Sequence, residues 1–181
     1  MLVPEHRTQL LTIARFSIET VLDGGSPELD RNSVPAELQR PSGAFVSLHT
    51  FGGELRGCIG SIQPVAPLCQ AVANSAVNAA FRDPRFYPLR KDELGNVHIE
   101  ISVMSPIELV LSVEDIEVGR DGLIISIGSR AGLLLPQVAS EYGWDREMFL
   151  SQTCRKAGLP TDAWRSAGCR IEKFSAEVFG E

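Results

Sequence analysis

Apolar residues recur at helical spacing near the start of the chain. Leu10, Leu11, Ala14, Ile18, Val21 and Leu22 predict an amphipathic helix over residues 4–22. Pro4 fits its first turn, and Gly24 and Gly25 end it. Residues 23–42 carry Gly, Ser, Asn and prolines and read as a long loop with one short helical turn at 35–39. Residues 43–50 and 54–61 are strand-like around Gly52 and Gly53, a hairpin signal. Pro64 and Pro67 open an alanine-rich helix that runs to about Phe81 and is stopped at Asp83-Pro84. Residues 97–104 alternate, with Val97, Ile99, Ile101 and Val103 on one face and His98, Glu100, Ser102 and Met104 on the other.

Shorter strands are expected around 107–111, 116–118 and 122–127, with Asp121-Gly122 as a turn. An apolar stretch at 132–135 precedes a helix at about 136–142. Asp145 caps another helix, which ends at Gly158-Leu159-Pro160. Residues 169–179 form a last strand whose alternation slips near Lys173, which predicts a bulge. Hairpins mixed with helices indicate an α+β fold, with a mixed, largely antiparallel sheet packed by helices.

The hairpin sorts residues onto faces. A two-residue loop at Gly52-Gly53 would pair Phe51 with Glu54, His49 with Arg56, and Ser47 with Cys58. One face then carries Ala44, Val46, Leu48, Leu55 and Ile59, which is a core. The other carries Ser47, His49, Arg56 and Cys58, which is polar and chemically competent. An odd loop with a bulge would shift this pairing. A thiolate is a nucleophile and a ligand, and a neighbouring cation such as Arg56 favours it. His49 could be the base or a second cation. Against this, a free cysteine is often only a small buried hydrophobe.

Glu100 shares the polar face of its strand with His98 and is either a solvated carboxylate or a partner for Arg56 in a cleft. Gln70, Asn74 and Asn78 form a polar stripe on the alanine-rich helix. Arg85, in Arg82-Asp83-Pro84-Arg85-Phe86, could hold an anion at a rim. Cys69 and Cys154 fall within helices and read as packing residues, and Cys169 is uninformative.

Composition narrows the classes. The chain has 181 residues, enough for a core without a disulfide or metal staple. Its 44% hydrophobic and 22% charged residues exclude disorder as the main state. The net charge of -6 argues against a general nucleic-acid or anionic-membrane binder. No apolar run is long enough for a spanning helix, and residues 1–12 do not resemble a secretory signal, so a cytoplasmic location is expected. Cysteines 58, 69, 154 and 169 form no Cys-x-x-Cys pair, and the three histidines form no His-x-x-x-His pair. Phosphate-loop, dinucleotide and Gly-x-Ser-x-Gly motifs are absent. No metal or cofactor is assigned.

The chain resembles the AMMECR domain family. The segments that carry the resemblance include Gly43-Ala44-Phe45-Val46-Ser47-Leu48, Leu55-Arg56-Gly57-Cys58-Ile59-Gly60, Asp83-Pro84-Arg85-Phe86 and Ile99-Glu100-Ile101-Ser102-Val103-Met104-Ser105-Pro106. Further matches are Gly122-Leu123-Ile124-Ile125, residues 132–138, and Thr153-Cys154-Arg155-Lys156-Ala157-Gly158-Leu159. The resemblance implies a single domain over 1–181 with a larger and a smaller lobe. The second lobe is expected from the loop at 23–42 and parts of 107–165. It favours Arg56, Cys58 and Glu100 as site residues and says less about His49. It also implies partners, a Memo-like protein and a radical S-adenosylmethionine protein, while the cysteine spacings speak against an iron–sulfur cluster in this chain.

Three readings follow for the site. The first is a thiol-dependent enzyme with Cys58 as nucleophile, Arg56 activating it or binding an anion, and Glu100 or His49 moving protons. The second is a non-catalytic binding or adaptor module for a peptide or small molecule. The third is a metal site using Cys58, His49 and Glu100.

Overall fold

A computed structural model describes residues 2–181. The chain divides into two compact units, residues 1–104 with 177–181, and residues 105–176. The loop at 23–42 lies in the first unit.

In the first unit, α1 (Pro4–Leu22) starts with proline in its first turn, and β1 (Ala44–Thr50) and β2 (Leu55–Ser61) form the hairpin. Then come α2 (Leu68–Phe81) and β3 (Val97–Met104). β1 pairs antiparallel with both β2 and β3. Alternation puts Val46, Leu48, Ile99 and Ile101 on one face of the sheet. There they are buried in one core with Leu10 and Ile18 of α1 and Val72 and Ala76 of α2. The loop at 23–42 is broken by two short helical turns, at Arg31–Ser33 and Ala36–Gln39, and the second buries Leu38 in this core.

The second unit holds β4 (Glu108–Leu109), β5 (Asp121–Ile127), β6 (Arg130–Leu134), α3 (Pro136–Glu141) and α4 (Arg146–Lys156). Most of the last strand, β7 (Arg170–Gly180), belongs to it as well. β7 pairs antiparallel with β4 and β5, and β5 with β6. Leu123 and Ile125 pack on Phe149, Leu150 and Cys154 of α4. Asp145 caps α4 by accepting the Met148 N–H at 2.8 Å, worth about 1 kcal/mol.

Three local expectations are corrected. Residues 116–118 are not a strand; a helical turn at Val113–Asp115 precedes them. Asp121-Gly122 is not a turn, because β5 starts at Asp121 and the bend falls at Gly119, whose φ of 89° suits glycine. β7 has no register shift at Lys173. A charged residue is accepted on that face because its Nζ donates to the Asp115 carbonyl at 2.7 Å and lies 3.7 Å from Asp121.

Candidate functional site

The hairpin loop decides how the site is assembled. Gly53 adopts a left-handed φ of 84°, and its N–H donates to the Thr50 carbonyl at 2.9 Å. The Thr50 N–H donates to the Glu54 carbonyl at 2.9 Å. The loop is therefore odd, which moves every pair by one residue near the turn. His49 faces Leu55, not Arg56. A bulge at Arg56 then restores the even register, so Leu48 pairs with Gly57 and Ser47 with Cys58. Leu55 lies opposite His49 and is 36% exposed, so it leaves the expected core.

Gly57 is buried against α2, where a Cβ would run into the Ala79 carbonyl oxygen. Cys58, the next residue, faces away from the helices. Its pairing partner Ser47 is in turn directly opposite Glu100, so Cys58, Ser47 and Glu100 form one row across β2, β1 and β3. The next row contains His49 opposite His98, and their rings stack at 5.4 Å. Glu100 lies 3.9 Å from His49 Nε2, and that nitrogen is buried without a hydrogen-bond partner.

β2 also has an outer edge. At Cys58 this edge is closed by the segment after α2. The Cys58 N–H donates to Asp83 Oδ2 at 2.9 Å, and Arg85 Nη2 donates to the Cys58 carbonyl at 3.3 Å. The two side chains pair with each other at 2.7 Å. The Asp83 side chain is only 2% exposed. Arg85 beside it holds its carboxyl far below the usual carboxylate range; burial opposes this, and the N–H groups of Cys58 and Arg85 add to it.

Arg56 is placed otherwise than the sequence suggested. Its guanidinium is bound by Glu93 through Nε at 3.1 Å and Nη2 at 3.2 Å, while Nη1 is buried without a partner. Arg56 lowers the Glu93 carboxyl from its ordinary range against the opposing effect of burial. Phe86 lies under both Arg56 and Arg85, at 6.0 and 5.4 Å from its ring centre. The structure thus brings Cys58, Glu100 and His49 to one face and commits Arg56 to fixing the loop at Glu93. Arg85 is the cation that reaches Cys58, through the 3.3 Å hydrogen bond to its carbonyl.

Among the described residues, no three of His, Cys, Asp and Glu converge as a metal-ligand set, so Cys58, His49 and Glu100 are not gathered as one. Sequence reading missed Asp83 and Glu93 as partners of the hairpin. The Asp-Pro-Arg spacing after the helix stop is the available signal for Asp83. Nothing local marked Glu93.

A family model described as AMMECR1 matches residues 11–179. The chain belongs to the AMMECR1 family. It is 42% identical to Protein MJ0810 of Methanocaldococcus jannaschii, an alignment covering 100% of this chain and 92% of that protein. It is 44% identical to Protein PF1979 of Pyrococcus furiosus, covering 95% of this chain and 86% of that one. It is also similar to a crystal structure of the uncharacterized protein PH0010 from Pyrococcus horikoshii. The TM-score is 0.85 at 41% identity, over 99% of this chain and 93% of that chain. The fold of this AMMECR1-family chain is α+β, and among the described residues no helix is long and apolar enough to cross a membrane.

Proposed function

We propose that this AMMECR1-family protein works through the thiol of Cys58, which attacks an electrophilic centre of a small-molecule or peptide ligand on the open face of β1, β2 and β3. The observation that carries this reading is the double fixation of Cys58. A buried carboxylate and a guanidinium hold its backbone on one side, and Ser47 faces it on the other. His49 is in diagonal register to Cys58, about 7–8 Å between backbones. Its partnerless Nε2 suits it to receive the thiol proton, with Glu100 stabilising the imidazolium. Arg85 takes the supporting role expected of Arg56.

A second reading is a non-catalytic binding or adaptor module within a system that includes Memo-like and radical S-adenosylmethionine proteins. The observation favouring it is Tyr87, 91% exposed beside Phe86, Arg85 and Arg90 around one hollow. An exposed aromatic between arginines suits a partner surface. Incubation with a panel of mild electrophiles, read by intact-protein and peptide mass spectrometry, separates the two. Rapid, saturable labelling at Cys58 that falls in His49→Gln supports thiol chemistry. Labelling of Cys58 no faster than that of a free thiol peptide, unchanged in His49→Gln, leaves the binding module.

A further inference from the structure

β2 is the outermost strand on its side of the sheet. Successive residues of an antiparallel strand aim their N–H and C=O at one neighbour and then the other. Cys58 aims both outward, to Asp83 and Arg85. The register runs without a shift from Cys58 to Ser61, so Gly60 aims both of its groups outward too. Asp83 and Arg85 do for Cys58 what a further strand would do. Among the described residues, no hydrogen bond from another element does so for Gly60. Exposed edges are normally blunted by charge, proline or a covering element. Here the protein closes one position and leaves the next one open.

Gly60 opens on a pocket of about 190 Å³ between β2, the turn that follows it and α2. Val65, Ala71, Asn74 and Asn78 line it with Gly60, and none of its lining side chains is charged. Among the described residues the Asn78 side chain has no hydrogen-bond partner, and the Asn74 side chain uses only its Oδ1, which accepts from Gln70 at 3.0 Å. Both asparagines also border a neighbouring hollow of about 660 Å³ with Pro27, Val77 and Phe81. The polar stripe on α2 is therefore the shared wall of two adjoining hollows.

We propose that this slot binds an extended stretch of polypeptide from a partner. Its main chain pairs with Gly60 as a short added strand, and its next peptide groups bond to the carboxamides of Asn78 and Asn74. The occupant follows from the chemistry. Gly60 offers one donor and one acceptor in strand geometry, which is the complement of a peptide main chain. A carboxamide offers the same pair and can bond a peptide unit through both ends. The uncharged lining gives no partner to a phosphate, a carboxylate or an ammonium group, and the net charge of -6 disfavours nucleic acid. Val65 and Ala71 select small aliphatic side chains at the paired position. The slot does not depend on the thiol chemistry of Cys58.

The test uses the whole protein and a library of acetylated, amidated five-residue peptides with neutral flanks and Ala or Val at the centre. Binding is followed by amide NMR and titration. The expected result is binding that moves the Gly60 amide downfield and protects it from exchange. Methylating the peptide nitrogen that faces Gly60 weakens binding about tenfold, as expected for one lost hydrogen bond. Asn78→Ala and Asn74→Ala, both outside the core, weaken it several-fold and leave the fold unchanged by circular dichroism. Cys58→Ser binds as the parent does, which separates this proposal from the thiol reading. A library without binders overturns the proposal. So does binding that is insensitive to main-chain methylation, or shifts that map away from Gly60, Asn74 and Asn78.

Discussion

The Asp83 carboxylate accepts the backbone N–H of Cys58 at 2.9 Å from 25 residues away in the chain. It ties the end of α2 to the edge of the strand that carries the candidate nucleophile. With Arg85 on the Cys58 carbonyl, it makes the position of the thiol a property of two elements rather than one.

Asp83→Asn keeps the shape but loses the charge, and should destabilise the protein by about 2 kcal/mol in urea unfolding at pH 7. The folded carboxyl lies well below its ordinary value of 3.8. Its contribution is therefore complete above that value and is lost as the pH falls towards the depressed one. The gap between parent and variant should be constant from pH 7 to 5 and close below about pH 3.8. A gap that grows on acidification would contradict the assignment.

Arg56→Met leaves Glu93 without its guanidinium in a partly buried setting and should cost about 1–2 kcal/mol. Glu93 is held below its ordinary 4.5, so the cost is present above that pH and declines below it. Chemical denaturation at pH 7 and pH 3.5 checks both the size and the sign.

Gly57→Ala should be severe. Its Cβ meets the Ala79 carbonyl oxygen, which is helix backbone and cannot swing aside. A loss of about 3 kcal/mol is expected, seen as a lower melting temperature, whereas Gly95→Ala, with open space around it, should be close to neutral.

The cysteines should alkylate in a definite order at neutral pH. Cys69 and Cys154 are buried, and burial pushes the Cys154 and Cys169 thiols up. Cys58 is half-buried beside Arg85 and should react first. Arg85→Met should slow it, and Arg56→Met should leave its rate nearly unchanged. Peptide-level mass spectrometry over time decides; an equal effect of both variants would restore Arg56 as the activating cation.

The sequence determined the elements whose signals are local. Helical spacing marked α1, alanine content and the Asp83-Pro84 stop marked α2, and strict alternation marked β3. Alternation also placed Cys58 on the face it shares with Ser47, and the expected pairing of the two survived because the odd loop and the bulge add to no net shift. It could not place His49 or Arg56. The odd loop and the bulge each move the register by one residue and cancel only beyond Arg56, so the residues between them follow loop geometry rather than pattern. Tertiary structure alone decided the partners of the hairpin. Asp83 and Glu93 reach β2 from 25 and 37 residues away through the path of the chain after α2, and no periodicity encodes that path. Likewise, Gly60 was visible as a glycine in a strand, but only the sheet order showed that it stands on an open edge.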